Sequence, residues 1–152
     1  MQYMDLYPLI SAFIGVVLAQ VLKPVLYYLV HHEWKGELLH ASGGFPSSHT
    51  ALVTALAMAI GIRDGFASST FAIAAVFAGI VIYDAANVRY YSGQNIQITT
   101  QLVRDVQELL HTHFQDPIYQ TKMKEVLGHK WVECFGGAIL GILIALICRL
   151  PA

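Results

Sequence analysis

Long apolar runs separated by short polar stretches organise this chain. Positions 6–30, 46–62, 66–88 and 131–150 are predominantly apolar, and each reads as a helix crossing a bilayer. The first run is long enough to cross with some tilt. Lys23, followed at once by Pro24, interrupts it and predicts last turns that are kinked or interfacial. The second opens at Pro46 and, at roughly 25 Å of helical rise, just crosses a hydrocarbon core of about 30 Å. The tight turn Arg63-Asp64-Gly65 leads into the third. Between the third and fourth lies a polar region, 89–130. Within it Leu102, Val103, Val106, Leu109, Leu110 and Phe114 recur at helical spacing, while Arg104, Asp105, Gln107 and Glu108 take the other face. That pattern predicts an amphipathic helix lying on the membrane surface or over the mouth of the bundle. Asp116-Pro117 reads as the cap and first turn of a further helix. The expected fold is all-α: a single membrane domain, a polytopic bundle of about four transmembrane helices plus an amphipathic loop helix.

Small residues recur four apart at Ala51, Ala55 and Ala59, at Ala75 and Gly79, and at Gly137 and Gly141. Such stripes let membrane helices approach closely. Composition supports the bilayer: 56% of residues are hydrophobic and only 12% charged, against about a quarter charged in a soluble domain. The mean hydropathy is +0.55. A net charge of −1 gives no support for a nucleic-acid partner. Cys134 and Cys148 share one run and would lie roughly 20 Å apart on a helix, too far for a disulfide. The N-terminus lacks the basic region of a cleaved signal, so the first run is read as retained. With four crossings, loops 31–45 and 89–130 share one side. That side carries Lys35, Arg89, Arg104, Lys122, Lys124 and Lys130, with Lys23 near its edge, whereas the other side has Arg63 and Arg149. Positive-inside reasoning puts the loops in the cytoplasm.

The chemistry concentrates around Gly43-Gly44-Phe45-Pro46-Ser47-Ser48-His49-Thr50. Pro46 suits the first turn of a helix, and Ser47 or Ser48 can cap its amides. A helix start of this kind favours an anion, and His49, one turn in, can move a proton there. Lys23, His49, Asp84, Arg89, His129 and Glu133 are the ionisable groups in or beside the runs, and such groups mark function in a bilayer. Under four-span alternation all six fall at the loop-side ends of their helices. His129 and Glu133 are one helical turn apart, so the carboxylate can orient the imidazole and stabilise its cation. Each element also has an ordinary reading: a snorkelling lysine, a capped helix start, an ion pair closing a helix. His31, His32, His40, His111 and His113 scatter over loops, and no zinc site is expected.

Lysine on one helix, Pro-Ser-x-His opening the next and His-x-x-x-acid opening a later one resemble the type 2 phosphatidic acid phosphatases. That superfamily includes bacterial acid phosphatases and vanadium haloperoxidases. The chain looks most like the small divergent membrane branch, through Gly43–Ala51, Tyr83-Asp84-Ala85 with Val88-Arg89, and Lys124-Glu125-Val126-Leu127-Gly128-His129 running into Glu133. The resemblance implies a phosphatase without metal or cofactor, in which His129 is the nucleophile, Glu133 orients it, and His49 serves as general acid and then base. It further implies that Lys23, Ser47, Ser48, Arg89 and Lys124 bind the phosphate oxygens, with Asp84 and Gly44 in support. The expected partner is a lipid phosphate at the surface of a bacterial cytoplasmic membrane, and oligomerisation is open. The sequence departs from the family pattern in size, with about four spans against a six-helix core, and in three details of its motifs. No Arg-Pro pair follows Lys23, no Ser-Arg precedes His129, and the acid is Glu133 rather than aspartate. A non-catalytic phospholipid or anion binder, or a small transporter retaining the anion site, is the competing expectation.

Overall fold

The structure, a computed structural model, describes residues 2–41, 43–112, 114 and 130–149, with the backbone alone described at 2–5 and 89. Helix α1 runs Gln2–His31, unbroken at Pro24. A 3₁₀ turn at Gly36–Leu39 folds back on it. Helix α2 covers Ser48–Asp64 and α3 covers Ser69–Tyr83. A π-helical turn, Asp84–Val88, carries α3 into α4, Arg89–Leu109. Helix α5 is Trp131–Cys148. Among the described residues there is no strand.

Helix α2 is the centre and touches α1, α3 and α5. Ala51, Ala55 and Ala59 on it are completely buried. A Cβ at Gly15 of α1 would lie 3.0 Å from the Ala51 carbonyl, and one at Gly141 of α5 would lie 2.5 Å from the same oxygen. Backbones this close explain why those positions lack side chains. The contacts also fix direction. Tyr7 packs with Ala59 and Ala145, and its hydroxyl donates to the Ala145 carbonyl. Lys23 lies at Gly44, and Ser47 at Gly137. Helix α1 therefore runs antiparallel to α2, while α2 and α5 run parallel. Although α2 has only 17 residues, it passes the same depth of the bundle as α5.

Among the described residues, three runs are long and apolar enough to cross a membrane: Leu6–His31, Ser69–Leu109 and Trp131–Cys148. Their outward faces are apolar. Leu9, Phe13, Ile73, Val76, Phe135, Ile139 and Ile147 are each more than 60% exposed, which suits hydrocarbon as the surrounding solvent. This is an all-α integral membrane bundle.

The structure departs from the expectations in four places. Pro46 is not in the first turn of α2; it precedes the N-cap, which is Ser47. The stripe on α3 is shifted by one residue. Ala74 and Ala78 pack on Val53 and Ala57, whereas a Cβ at Gly79 would meet nothing within 4 Å. With hydrocarbon outside, buried and exposed faces are equally apolar, so periodicity offers little contrast. Helix α4 is not a separate loop helix lying flat. It continues α3 as a run of 41 residues, roughly 60 Å by helical rise, twice the hydrocarbon thickness, and so projects beyond it. Lys23 does not snorkel: it is 1% exposed. The further helix expected from Asp116-Pro117 lies outside the described residues. Cys134 and Cys148 form no disulfide. At the opposite end, Arg63 holds Asp64 at 2.6 Å and, with the Thr70 hydroxyl, keeps its carboxyl below the usual range.

Candidate functional site

The site grows from the turn between α1 and α2. Gln20 Nε2 donates to the carbonyls of Leu39 and Ala41 at 2.6 and 3.2 Å, and Lys23 Nζ donates to that of Ala41 at 2.9 Å. These bonds hold the loop over the end of α1. The chain then turns at Gly44, whose φ of +95° favours glycine, and a Cβ there would sit 3.8 Å from the Lys23 side chain. Beyond that turn, Ser47 caps α2 by accepting from the Thr50 N–H at 3.4 Å. Its own N–H donates to the Glu133 carbonyl at 2.9 Å, tying the start of α2 to the first turn of α5.

Around that tie the functional groups gather. Ser47 and Ser48 are buried, and His49, the second residue of α2, is half-buried. Glu133 is half-buried and is the acidic neighbour whose charge acts on Lys23. The Cys134 thiol lies against the hydroxyls of Thr50 and Ser47. From the third side, Ala85 and Ala86 of the π turn pack on Cys134 and bring half-buried Asp84 to this end of the bundle. A π turn inserts one residue into a helix and re-aims the residues beyond it, a device frequent at functional sites.

An ammonium carries three donors, and among the described residues Ala41 takes one of Lys23's. A buried cation with donors to spare, next to a capped helix N-terminus, is suited to an anion. The Lys23, Gly44, Ser47, Ser48, His49, Asp84 and Glu133 predicted from sequence thus share one end of the fold. His129 and Lys124 lie outside the described residues, as does the side chain of Arg89. Helix α5 starts at Trp131 with Lys130 as N-cap. Glu133 thus lies in the first turn of α5, and the expected pairing of His129 with it lies outside the described residues.

The sequence profile of the Divergent PAP2 family matches residues 4–144. The chain belongs to that family. It is also 35% identical over 152 residues to the uncharacterized membrane protein YuiD of Bacillus subtilis (strain 168), a match covering 97% of this chain and 96% of the relative. No solved structure matches it. The region that carries the family resemblance is thus nearly the whole bundle, from α1 to the far half of α5.

Sequence reasoning assigned no place at the site to Thr50 or Cys134, both buried beside the cap. It also missed the buried stripe on α1, Tyr7, Ser11, Gly15, Ala19 and Lys23. The spacing of four was present in the sequence, and it places Lys23 on the packed face rather than at the lipid.

Proposed function

We propose that this protein is a membrane-embedded phosphatase that hydrolyses a lipid phosphomonoester or pyrophosphate through a phosphohistidine. The observation that carries the reading is buried Lys23 at the Gly44 turn, beside Ser47, which caps α2 and donates its N–H to the Glu133 carbonyl. A phosphoryl group in transfer spreads charge over three oxygens and needs fixed cations and amides around them. Lys23 and the N-terminus of α2 supply both in a water-poor setting. In the proposed cycle His129 attacks phosphorus as the ester P–O bond breaks, and His49 protonates the departing alcohol. His49 then takes a proton from water, whose oxygen attacks the phosphohistidine, releasing inorganic phosphate and restoring His129. Glu133 balances the imidazolium. Arg89 and Lys124 are the cations proposed to close the site where the family's arginines are absent. The lipid tail lies among the apolar helix faces and the headgroup reaches the polar end. The charge bias of the loops supports a cytoplasmic position for that end, in what we read as a bacterial membrane.

The test is phosphate release by purified protein from a panel of acyl and isoprenoid phosphates and pyrophosphates, wild type against His129→Ala. Release that falls by orders of magnitude in the variant, with competitive inhibition by vanadate, is the expected result. A folded wild-type protein that binds these lipids but releases no phosphate from any would overturn the phosphatase reading in favour of a non-catalytic anion binder.

A further inference from the structure

Beside the site, between the π turn with the first turn of α4 and the start of α5, lies a groove of about 230 Å³. Its lining is Ala86, Asn87, Tyr90, Tyr91, Lys130 and Trp131. We propose that this groove binds the anionic polyol headgroup of a membrane phospholipid, a phosphodiester with hydroxyls beside it.

Placement and lining carry the inference. The groove sits at headgroup level, because Trp131 opens apolar α5 and Lys130 immediately precedes it. It adjoins the phosphate site without being part of it. Ala86 packs on Cys134, and the Lys130 carbonyl accepts the Glu133 N–H at 2.9 Å. Each polar group matches one part of the ligand. The exposed Lys130 ammonium offers a point charge to the phosphodiester. The Asn87 amide both donates and accepts, as hydroxyls require, and the phenols of Tyr90 and Tyr91 do the same. The ring faces of Tyr91 and Trp131, 59% and 49% exposed, can cover the carbon skeleton. At about 230 Å³ the groove has room for a short polyol phosphate and lies below the ~300–1,000 Å³ of pockets for drug-sized ligands. An acyl tail would gain nothing from Lys130 and Asn87. An aromatic belt of the ordinary interfacial kind needs no cavity with an amide and a cation in its wall.

The same headgroup can belong to a bystander lipid of the bilayer or to the substrate, and the site does not depend on the phosphatase reading. Trp34 and Trp131 are the two tryptophans, so Trp34→Phe leaves Trp131 as the reporter. The full-length variant is placed in phosphatidylcholine nanodiscs with increasing phosphatidylglycerol. Emission of Trp131 is expected to change saturably. Lys130→Ala or Asn87→Ala should raise half-saturation about tenfold, the loss of one charge-assisted or neutral hydrogen bond in a partly dry groove, and Lys130→Arg should restore it. Phosphatidic acid at equal surface charge lacks the polyol and should give a weaker response. Identical curves for the two lipids, or no effect of Lys130→Ala and Asn87→Ala in protein that elutes as folded, overturn the proposal. Phosphate release measured in the same discs identifies the occupant. Competition by phosphatidylglycerol assigns the groove to the substrate's headgroup, and unchanged or raised release assigns it to a bystander; both uphold the site. If no lipid is hydrolysed, the phosphatase reading fails while the Trp131 titration still decides the groove.

Discussion

Lys23 is the residue on which the chemistry and the packing meet. It continues the line Tyr7, Ser11, Gly15, Ala19 on the buried face of α1, so helical geometry alone carries its side chain into the bundle. An ammonium in that position is costly unless compensated, and Glu133 is the acid whose charge reaches it. The electrostatic influence of Glu133 on Lys23 leads to two expected outcomes. Lys23→Met keeps the length of the side chain and removes the charge. Thermal unfolding in detergent is expected to leave its stability unchanged or raised, while phosphate release falls by about 10²–10³. Glu133→Gln leaves the cation uncompensated and should lower the melting temperature. A double-mutant cycle with Lys23→Met should then show coupling of about 0.5–3 kcal/mol; zero coupling would mean that Glu133 acts on His129 alone. For His49→Ala the expected loss is about 10²–10⁴ in turnover, with the melting temperature held.

At the scale of elements, α2 is positioned by its two ends. Ser47 caps it and ties it to α5 through the Glu133 carbonyl, so the same residue closes a helix and fixes the distance between two parts of the site. Ser47→Ala should cost about 1 kcal/mol from the lost cap, read as a lowered melting temperature. Further along, Gly137 and Gly141 let the α5 backbone lie on that of α2. A Cβ at Gly137 would run into the Ser47 carbonyl and come within 3.3 Å of the Ala51 nitrogen. Gly137→Ala should therefore destabilise by about 1–3 kcal/mol, whereas Gly79→Ala, in open space, should be silent or slightly stabilising. The small-residue spacing on α2 and α5 was legible in the sequence and corresponds to real contact. On α3 the same spacing named Ala75 and Gly79 when Ala74 and Ala78 make the contact. A stripe in an all-apolar helix can slide by one residue without any penalty visible in the pattern.

Across the whole molecule, α1 antiparallel to α2, α2 antiparallel to α3 and α2 parallel to α5 gather one end of each helix around the Ser47 tie. The far end holds the Arg63–Asp64 pair. Single cysteines at Lys35→Cys and Arg104→Cys, in a chain whose Cys134 and Cys148 are replaced by serine, should react with an impermeant maleimide from one face of sealed vesicles. Arg63→Cys should react from the other. Labelling of Lys35→Cys and Arg63→Cys from one face, with Arg104→Cys reacting from the other, would show that the short α2 enters and returns instead of crossing.

The sequence by itself determined the bilayer and the helices, and it named the candidate groups of the site. Apolar runs of membrane length, a scarcity of charge and a Pro-Ser-Ser-His start are local properties that survive without neighbours. The sequence also assigned Lys23, His49, Asp84, Arg89, His129 and Glu133 to one end, because crossing helices must alternate, and the structure brings Lys23, His49, Asp84 and Glu133 there. Tertiary structure decided what alternation cannot express: which face of each helix is inside. In water a polar exterior marks that face, but in hydrocarbon nothing on the outside contrasts with the core. Only packing could bury Lys23, merge α3 and α4 through the π turn, and set Asn87 and Tyr90 opposite Lys130 to form a groove.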